Sequence, residues 1–481
     1  WWLKCNGNLG HQLVNRDYII KNKGFVFDLS VWDDATPVDD PDQPLGADVA
    51  TLKNILLNAA KRHPGMVHMV GFVPWPFKYT NWQKAGGKHE PVPSEWECAQ
   101  LISDYNTFMD ADTYGPADVT NCSLYSRFPL PDRLAQNPRL SVTDLRKQGY
   151  LAKDFTVSPM NYLNIYLGDY DAGAWVVQTM LPKWSDPHRN DTPLSWAMNP
   201  NHLERVGAIY EYLVRTRTPM ETFIAGDSGA GYTNVTRLFG KRVSGLPPAG
   251  QRWLDHNLRF NRQAGIKHTG FLLNGKSGPI TPEVEAIYTK FSPDGYWTQG
   301  PWNPQGDHLY RTMPGLLQQR DLTHDPAKDA KIIQPSAVIG APNFLNYRTI
   351  LIAPTYVHDV ATKLRADDPA IPWALLDAPT YASLASAYLG HIPDGRATYT
   401  FDTIPSTLKL GKLYTVSVGV RNDGWKTWHR LGKSFTNLHL RFYDSKGNSI
   451  RESQTPIPGD IGPSDGAIIK ITAKAPFKPG V

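Results

Sequence analysis

Apolar runs of strand length alternate with segments of helical spacing between residues 24 and 390. The runs GFVFDLS (24–30), MVHMVGFVPW (66–75) and METFIAGDSGAGY (220–232) predict strands that end in polar residues. The segments DVATLKNILLNAAKRH (48–63) and GQRWLDHNLRFNRQAG (250–265) carry apolar residues at helical intervals. Apolar strands that alternate with helices are typical of a parallel sheet covered by helices. About seven or eight such units predict a (β/α) barrel, with a doubly wound open sheet as the alternative.

The same pattern predicts the bounds of individual elements. We expect a helix over 94–111 with Ser94 as its N-cap, because Glu three residues later completes a capping box. Strands are predicted at 117–125 and 335–344, and a helix over 347–369.

Helical spacing disappears after GHIPDGRA (390–397), where apolar and polar residues begin to alternate. The segment NLHLRFYDSKGNSI (437–450) predicts a hairpin around a Lys-Gly turn. We therefore predict two domains, a barrel over 1–392 and an all-β sandwich over 397–481. Because the chain starts without a methionine and stops before an expected closing strand, we expect both domains to be incomplete at their outer ends.

Composition excludes several classes of protein. The net charge is +5 and no block of lysine and arginine is present, which argues against nucleic-acid binding. No apolar run approaches the roughly 20 residues that span a bilayer. Three cysteines form neither a disulfide framework nor a zinc pattern, and the scattered histidines lack a zinc-enzyme motif. The chemistry of the chain is therefore sought among its carboxylates.

Several carboxylates follow predicted strands, and such strand ends share one face of a parallel barrel. Asp28 follows the first strand, Asp169 and Asp171 lie in GDYD, and Asp227 lies in GDSGAGY. Glycosidic cleavage needs one carboxyl as acid and another as base or nucleophile. We predict Asp171 and Asp227 as that pair, with Asp169 also in the catalytic group and Asp28 as an orienting neighbour. Each aspartate has the alternative of capping a helix or bracing a loop.

Aromatic and polar residues at the other strand ends are candidates for substrate binding. Tryptophan and tyrosine offer a flat apolar face and a polar atom, which suits a sugar ring. The predicted substrate-binding residues are Asp28, Trp32, Trp75, Lys78, Tyr79, Tyr232, Asn274, Gln299 and Trp302.

Two other chemistries were weighed on particular residues. Ser228 in GDSGAG does not occupy a G-x-S-x-G elbow, so a serine nucleophile is disfavoured. The acidic run DDATPVDDPDQP (33–44) offers oxygens to calcium, but it lacks EF-hand spacing and favours a solvated loop. We expect no cofactor, with a structural calcium ion in that loop as the alternative.

The segment GDSGAGY (226–232) resembles the signature of a bacterial glycoside hydrolase family named for the motif GxGYxYP. Gly229, Gly231 and Tyr232 fill the first half of the motif, whereas Asn and Val stand where Tyr and Pro are expected. FVFDLSVWDDATPVDDPDQPLGAD, GDYDAGAW and YRTILIAPTY also resemble this family, and the likeness covers residues 1–392. The C-terminal part is similar to immunoglobulin-like accessory domains of bacterial surface and secreted enzymes.

These resemblances imply a secreted or cell-surface bacterial glycoside hydrolase with a carbohydrate substrate. The alternatives are a barrel that binds glycan without cutting it, and a lyase or esterase acting on a decorated polysaccharide. The turn in GDSGAGY is expected to let Asp227 and Tyr232 face a sugar, with a tight turn around a buried tyrosine as the alternative.

Overall fold

The computed structural model describes residues 8–11, 16–71, 78–110, 121–273, 278–299, 306–390, 397–405, 407–422, 424, 426–433, 435–444, 448–462 and 465–477. The chain forms two compact units. The first unit comprises Trp1–Arg139 and Pro159–Ala385, and the second comprises Leu140–Ser158 and Ser386–Val481. No helix in these ranges is both long enough and apolar enough to cross a membrane.

The described helices follow the alternating pattern of the sequence. In chain order they are α1 (Arg16–Lys21), α2 (Ala47–Arg62), α3 (Pro91–Ser103), α4 (Cys122–Tyr125), α5 (Val142–Lys147), α6 (Gly173–Trp175), α7 (Leu181–Lys183), α8 (Gly207–Thr216), α9 (Gly250–Ala264), α10 (Pro282–Phe291), α11 (Pro326–Ile333), α12 (Pro354–Asp367) and α13 (Ala378–Tyr388). Residues Val176–Met180 form a π-helical turn between α6 and α7. Short 3₁₀ segments cover Trp82–Lys84, Pro200–Glu204, Val235–Leu238 and Gln334–Ser336.

The first unit contains two sheets. The smaller sheet has four parallel strands, β1 (Asn8–His11), β2 (Phe25–Phe27), β3 (Val67–Val70) and β4 (Thr107–Asp110), in the order β2-β1-β3-β4. The larger sheet has nine strands: β5 (Asn161–Tyr170), β6 (Leu194–Met198), β7 (Glu221–Ala225), β8 (His268–Leu272), β9 (Gly295–Gln299), β10 (His308–Tyr310), β11 (Met313–Gln318), β12 (Asn343–Ile350) and β13 (Trp373–Leu375).

Strands of the larger sheet follow the order β10-β11-β9-β8-β7-β6-β5-β12. β10 is antiparallel to β11, and the other pairings along this path are parallel. β5 is paired with β12 on one side and with both β13 and β6 on the other. Leucine, aromatic and other apolar side chains from β5, β6 and β7 pack with α8 and α12 in one core cluster. β5 is therefore the central strand of the core.

The strand path of the larger sheet is open, so the described residues do not confirm a closed barrel. The chain after β11 nevertheless returns to β12. The backbone N–H of Gln319 donates to the carbonyl of Asn346 (2.9 Å), and that of Leu322 to the carbonyl of Arg348 (2.8 Å). These bonds bring the residues that follow β11, near one edge of the sheet, against β12 at the other edge.

Four predicted elements differ from the structure. The helix predicted over 94–111 begins at Pro91 and gives way to β4, because proline is favoured in the first helical turn and Ser94 lies inside the helix. Residues 121–125 contain α4 instead of a strand, and the rest of that predicted strand lies outside the described residues. The helix predicted over 347–369 is a strand up to Ile350 and a helix from Pro354. The strand predicted at 335–344 begins only at Asn343.

The second unit combines α5 with antiparallel strands, as the alternating pattern predicts. β14 (Ala397–Asp402), β15 (Leu413–Asn422) and β18 (Gly466–Lys474) form one sheet, and β16 (Asn437–Tyr443) and β17 (Ser449–Pro456) form a hairpin. Val418, Leu438 and Ile469 from the two sheets pack around Trp428 in a shared core. Trp428 is thus a buried core residue of this unit, and the immunoglobulin-like class remains a prediction.

A buried ion pair ties the small sheet to the turn that follows β6. Asp110 ends β4 and is fully buried, and its carboxylate lies 2.8 Å from Nη1 of Arg205. Asn201 Nδ2 donates to the same carboxylate at 2.7 Å, and His68 Nε2 also contacts it. Burial alone would raise the pKa of Asp110, but the charges of Arg205 and His68 outweigh it and hold this pKa below its usual value.

We expect Asp110→Asn to destabilise the protein by about 3–5 kcal/mol, because it removes a buried negative charge that pairs with the Arg205 guanidinium. Since the folded-state pKa of Asp110 is lowered, its contribution is present above the unfolded pKa of about 3.9 and is lost as the pH falls further. Urea unfolding of wild type and variant at several pH values measures this difference. Asp255→Asn, at an exposed position on α9, is the control and should change stability by no more than about 0.5 kcal/mol. An Asp110→Asn protein as stable as the control variant at pH 7 would contradict the proposed role.

Candidate active site

Asp171 and Asp227 follow the carboxyl ends of β5 and β7, which are separated by β6. Their exposed fractions are 6% and 7%, so both carboxyls are almost buried. A Cβ atom on Gly226 would lie only 2.9 Å from Cβ of Asp171. The glycine before Asp227 therefore lets the two strand ends approach closely, as the sequence analysis expected for carboxylates at parallel strand ends.

The carboxyl groups of Asp171 and Asp227 are hydrogen-bonded to each other. Burial and the neighbouring charge of Asp227 raise the pKa of Asp171 well above its usual range. Burial raises the pKa of Asp227 to about 6, although the hydrogen bond from Asp171 opposes this rise. Because two buried negative charges so close together repel each other, the pair favours binding one shared proton.

Asp169 lies beside this pair and is more accessible, with 39% of its side chain exposed. Its backbone has a positive φ of 66°, which interrupts the regular alternation of β5 before Asp171. The surrounding protein groups displace water from Asp169 and raise its pKa to about 6. The charge of Arg348 opposes this rise in pKa, and the charge of Asp171 adds to it. Asp169 is therefore mostly ionised at neutral pH and can contact a ligand from solvent.

Arg348 on β12 supplies positive charge to this group. Its guanidinium makes two hydrogen bonds to Asp321, at 2.8 and 2.6 Å, and Nη1 lies 3.7 Å from Asp169 Oδ1. A Cβ atom on Gly168 would lie 2.8 Å from Cδ of Arg348, so this glycine lets the arginine side chain cross β5. The charge of Arg348 lowers the pKa of Asp169, Asp171 and Asp227. Arg348 thus limits the charge repulsion within the cluster.

The turn after β7 is built for close packing. Gly229 and Gly231 have φ values of 123° and 139°, and a Cβ atom at Gly231 would lie 2.3 Å from Phe108 of β4. Ser228 is fully buried, and its hydroxyl donates to the Thr233 carbonyl at 2.6 Å. The same hydroxyl accepts from the backbone N–H of Leu273 at 2.9 Å. Ser228 therefore holds the turn in shape, which agrees with the argument against a serine nucleophile.

Tyr232 joins this turn to the small sheet. Its backbone N–H donates to the Met109 carbonyl at 2.8 Å, and its carbonyl accepts from Met109 N–H at 3.0 Å. Tyr232 is 8% exposed, and its pKa is raised by burial and by the charges of Asp227, Glu95 and Asp171. The phenol therefore lies among the acidic groups. The tight turn around a buried tyrosine is confirmed, whereas contact of Asp227 and Tyr232 with a sugar stays a prediction.

Glu95 on α3 brings a further carboxylate to the site from the side of the small sheet. Its charge raises the pKa of both Asp227 and Tyr232, which places it near the hydrogen-bonded pair. α3 is fixed to the turn by Ser103, whose Oγ lies 2.9 Å from Thr233 Oγ1. The sequence analysis assigned Glu95 only to a helix and missed its part in the site.

The predicted residues of the small-sheet region form a separate cluster. Lys78 Nζ lies 3.5 Å from Asp48, and Gln43 Nε2 donates to the Tyr79 hydroxyl at 3.0 Å. Burial raises the pKa of Asp28, while the charge of Lys78 lowers it. Lys78 and Tyr79 are 4% and 1% exposed, so the ring of Tyr79 packs within the protein and is not an open surface for a sugar.

The remaining predicted residues differ in how far they can be placed. Trp32 is half-buried, and its Nε1 donates to Ser94 Oγ at 2.9 Å. Its ring stacks on the ring of His89 with a centroid distance of 3.8 Å, so one face of the indole is covered by protein. Gln299 ends β9 and pairs in register with Gln318 of β11. Trp75, Asn274 and Trp302 lie outside the described residues.

The acidic loop 33–44 does not gather three carboxylates among the described residues. Asp34 instead contacts Lys88 and His89, each at 2.7 Å. The structure thus offers no support for calcium in this loop.

Most of the larger sheet lies in a segment that is similar to a known protein family. Residues 160–358 match the family model for the GxGYxYP putative glycoside hydrolase C-terminal domain. The resemblance predicted from the sequence is confirmed over this segment, which contains Asp169, Asp171, Asp227 and Arg348.

A solved structure supports the fold of a longer part of the chain. The crystal structure of a putative hydrolase from Bacteroides thetaiotaomicron VPI-5482 superposes with a TM-score of 0.54 and 13% sequence identity. The match covers 80% of this chain and 67% of that protein. No curated protein sequence matches the chain.

We expect Gly231→Ala, in the turn after β7, to destabilise the protein by about 1–3 kcal/mol, because the new methyl group would overlap Phe108. The midpoint of urea unfolding measures the effect. Gly86→Ala is the control, since Gly86 also has a positive φ (91°) but has open space around its Cβ position. If both variants lost the same stability, backbone strain would account for the effect and contact with Phe108 would not.

Proposed function

We propose that this chain hydrolyses glycosidic bonds of a polysaccharide or oligosaccharide at the site formed by Asp169, Asp171 and Asp227. The observation that carries the proposal is the buried, directly interacting pair of carboxyls at the ends of β5 and β7, whose surroundings raise the pKa of both. A protonated carboxyl is the group that glycosidic cleavage requires for its leaving oxygen. The family model matched by residues 160–358 names the same reaction class.

Asp171 acts in this proposal as the proton donor, and Asp227 accepts its hydrogen bond and maintains its high pKa. Two directly hydrogen-bonded carboxyls lie closer together than the about 5–9.5 Å that separates the two catalytic carboxyls of glycosidases. A glycosidic oxygen and the anomeric carbon do not fit between them. The predicted pair of Asp171 and Asp227 is thus one proton-holding unit, and a second carboxyl is needed.

Asp169 is our choice for the second carboxyl. Its side chain is 39% exposed and its pKa of about 6 leaves it ionised at neutral pH. An ionised and accessible carboxylate is suited to act as nucleophile or as base toward water. Glu95 is not assigned a direct part in bond cleavage. Its negative charge raises the pKa of Asp227 and so favours a proton on the pair. In this arrangement Tyr232 is a wall of the site beside the pair.

Two parts of the proposal rest on resemblance. We propose that the second unit is an immunoglobulin-like accessory domain, and that the protein is secreted or displayed on a bacterial surface. The two antiparallel sheets around Trp428 support the first of these.

We expect Asp171→Asn to lower kcat by at least about 10²-fold while glycan binding is retained, because an amide cannot donate a proton to the leaving group. The asparagine can still donate a hydrogen bond to Asp227, so the fold should be kept. Digestion of a glycan panel followed by mass spectrometry detects new reducing ends from wild type and variant.

Asp255→Asn serves as the matched control and should cleave like wild type. A wild-type protein that binds a glycan and releases no product would favour a binding protein. Products with an unsaturated sugar or a released acyl group would favour the lyase or esterase. Full activity of Asp171→Asn would remove Asp171 from the mechanism.

We expect a bell-shaped pH dependence of kcat/KM. Activity should fall below about pH 6, because Asp169 and Asp227, whose pKa values are both about 6, take up protons there. It should fall again at higher pH, where the pair of Asp171 and Asp227 loses its shared proton, because the pKa of Asp171 is raised. Initial rates at low substrate concentration across the pH range provide the measurement. An acid limb near pH 4, the range of ordinary carboxylates, would contradict the assignment.

A further inference from the structure

A second cluster of ionisable side chains lies away from the carboxyl site, between the loop that precedes β6 and helix α12. His188 Nδ1 lies 2.6 Å from Asp191 Oδ2, and His358 Nδ1 lies 3.6 Å from the same oxygen. One ligand atom from each of the three residues falls within 4.8 Å of the others. Among the described residues, no other group of three or more His, Cys, Asp or Glu side chains meets this criterion.

The cluster has the dimensions of a transition-metal site. Zinc binds histidine nitrogen and aspartate oxygen at about 2.0–2.2 Å, so two ligands on one tetrahedral ion lie about 3.3 Å apart. The two observed distances to Asp191, 2.6 and 3.6 Å, bracket that value. The rings of His188 and His358 stack with centroids 4.2 Å apart, so the imidazoles must turn about their side-chain bonds for both nitrogens to face one ion beside Asp191. Two histidines and one carboxylate form a known zinc ligand set, with water at the fourth position.

The loop that carries His188 and Asp191 is held in place before any ion binds. Arg189, between them, makes two hydrogen bonds to the buried carboxylate of Glu221, at 2.9 and 2.8 Å. Its guanidinium also lies 3.8 Å from the ring centre of Trp184. The backbone N–H of His188 donates to Asp186 at 2.9 Å. The first two ligands thus project from a fixed backbone, which lowers the cost of ordering them on binding.

The third ligand is fixed to the same loop and correctly oriented. Asp186 accepts hydrogen bonds from the backbone N–H (3.1 Å) and the hydroxyl (2.8 Å) of Thr355, in the first turn of α12. One turn later, His358 Nε2 lies 3.5 Å from Thr362 Oγ1. A proton on Nε2 that bonds to Thr362 leaves the lone pair of Nδ1 directed at Asp191, which is how outer partners orient metal-binding histidines.

We propose that His188, Asp191 and His358 bind a divalent transition-metal ion, zinc in the first instance, that fastens the loop before β6 to helix α12. The three side chains are between 30% and 43% exposed, so an ion can reach them from solvent. Imidazole nitrogens select zinc, copper or nickel over calcium and magnesium. The sequence analysis found no zinc motif because the third ligand is 167 residues away from Asp191 (358 − 191).

The test is zinc titration of tag-free, metal-stripped protein by isothermal calorimetry, with the wild type beside His358→Ala and Asp191→Asn. We expect the wild type to bind one equivalent, and each variant to bind at least about tenfold more weakly. Thr362→Val removes only the orienting partner of His358 and should weaken zinc binding by about 10–100-fold. Circular dichroism of the metal-free variants shows whether each keeps its fold.

His429→Ala is the matched control. His429 forms a histidine–aspartate pair with Asp460 at 3.0 Å, but this pair belongs to no three-ligand group among the residues described. The control should bind zinc like the wild type. A wild type that takes up no zinc, or folded His358→Ala and Asp191→Asn proteins that bind it as tightly as wild type, would overturn the proposal. Zinc uptake is measured without any glycan, so this result is independent of the proposed hydrolysis.

Discussion

The contact between the turn after β7 and strand β4 is the constraint on which the site depends. Met109 and Tyr232 exchange two backbone hydrogen bonds, and Gly231 leaves room for the ring of Phe108. This contact joins the small parallel sheet to the large one within the first unit. Without it, Glu95 on α3 would have no fixed relation to Asp227, and Tyr232 would not be held beside the carboxyls. Gly231 of GDSGAGY is therefore explained by packing between two sheets, and that packing holds the turn that carries Asp227.

The chemistry of the site arises from an imbalance of charge at the strand ends. Asp169, Asp171 and Asp227 compete for the field of Arg348, which is already bonded on its other side to Asp321. Little solvent reaches Asp171 and Asp227 to compensate. Retaining a proton within the pair therefore has a lower free energy than placing two negative charges there. A single structural arrangement thus raises the pKa of both carboxyls of the pair.

The sequence was sufficient to locate the aspartates but not their partners. The apolar strands NYLNIYLGDY and METFIA each end at the polar residues of the site, so strand ends identified Asp169, Asp171 and Asp227 correctly as neighbours. Arg348 was missed because its strand, NFLNYRTI, carries polar residues that contact the interior and was read as part of a helix. Asp321 was missed because β11 contains Pro314 and Gly315, which argue against a strand.

The number and pairing of the sheets could not be derived from the pattern of residues. Strands β2 and β3 have the same apolar character as those of the large sheet, and only tertiary contacts decide that they belong to a sheet of their own. The proposed zinc site could not be found from the sequence for a related reason. His188 and Asp191 are close in sequence, but His358 approaches them only through the packing of α12.

The pairing of β5 bears on how this chain folds during synthesis. β5 is completed by β6, by β12 and by β13, whose last paired residue is Leu375. A ribosome that has made β5 must therefore add about 200 further residues before that strand is covered on both sides along its length (375 − 170). Until then an apolar strand keeps unpaired backbone groups that can join a neighbouring chain. We expect folding to be slow, and truncation ahead of Trp373 to produce aggregation instead of a smaller folded protein.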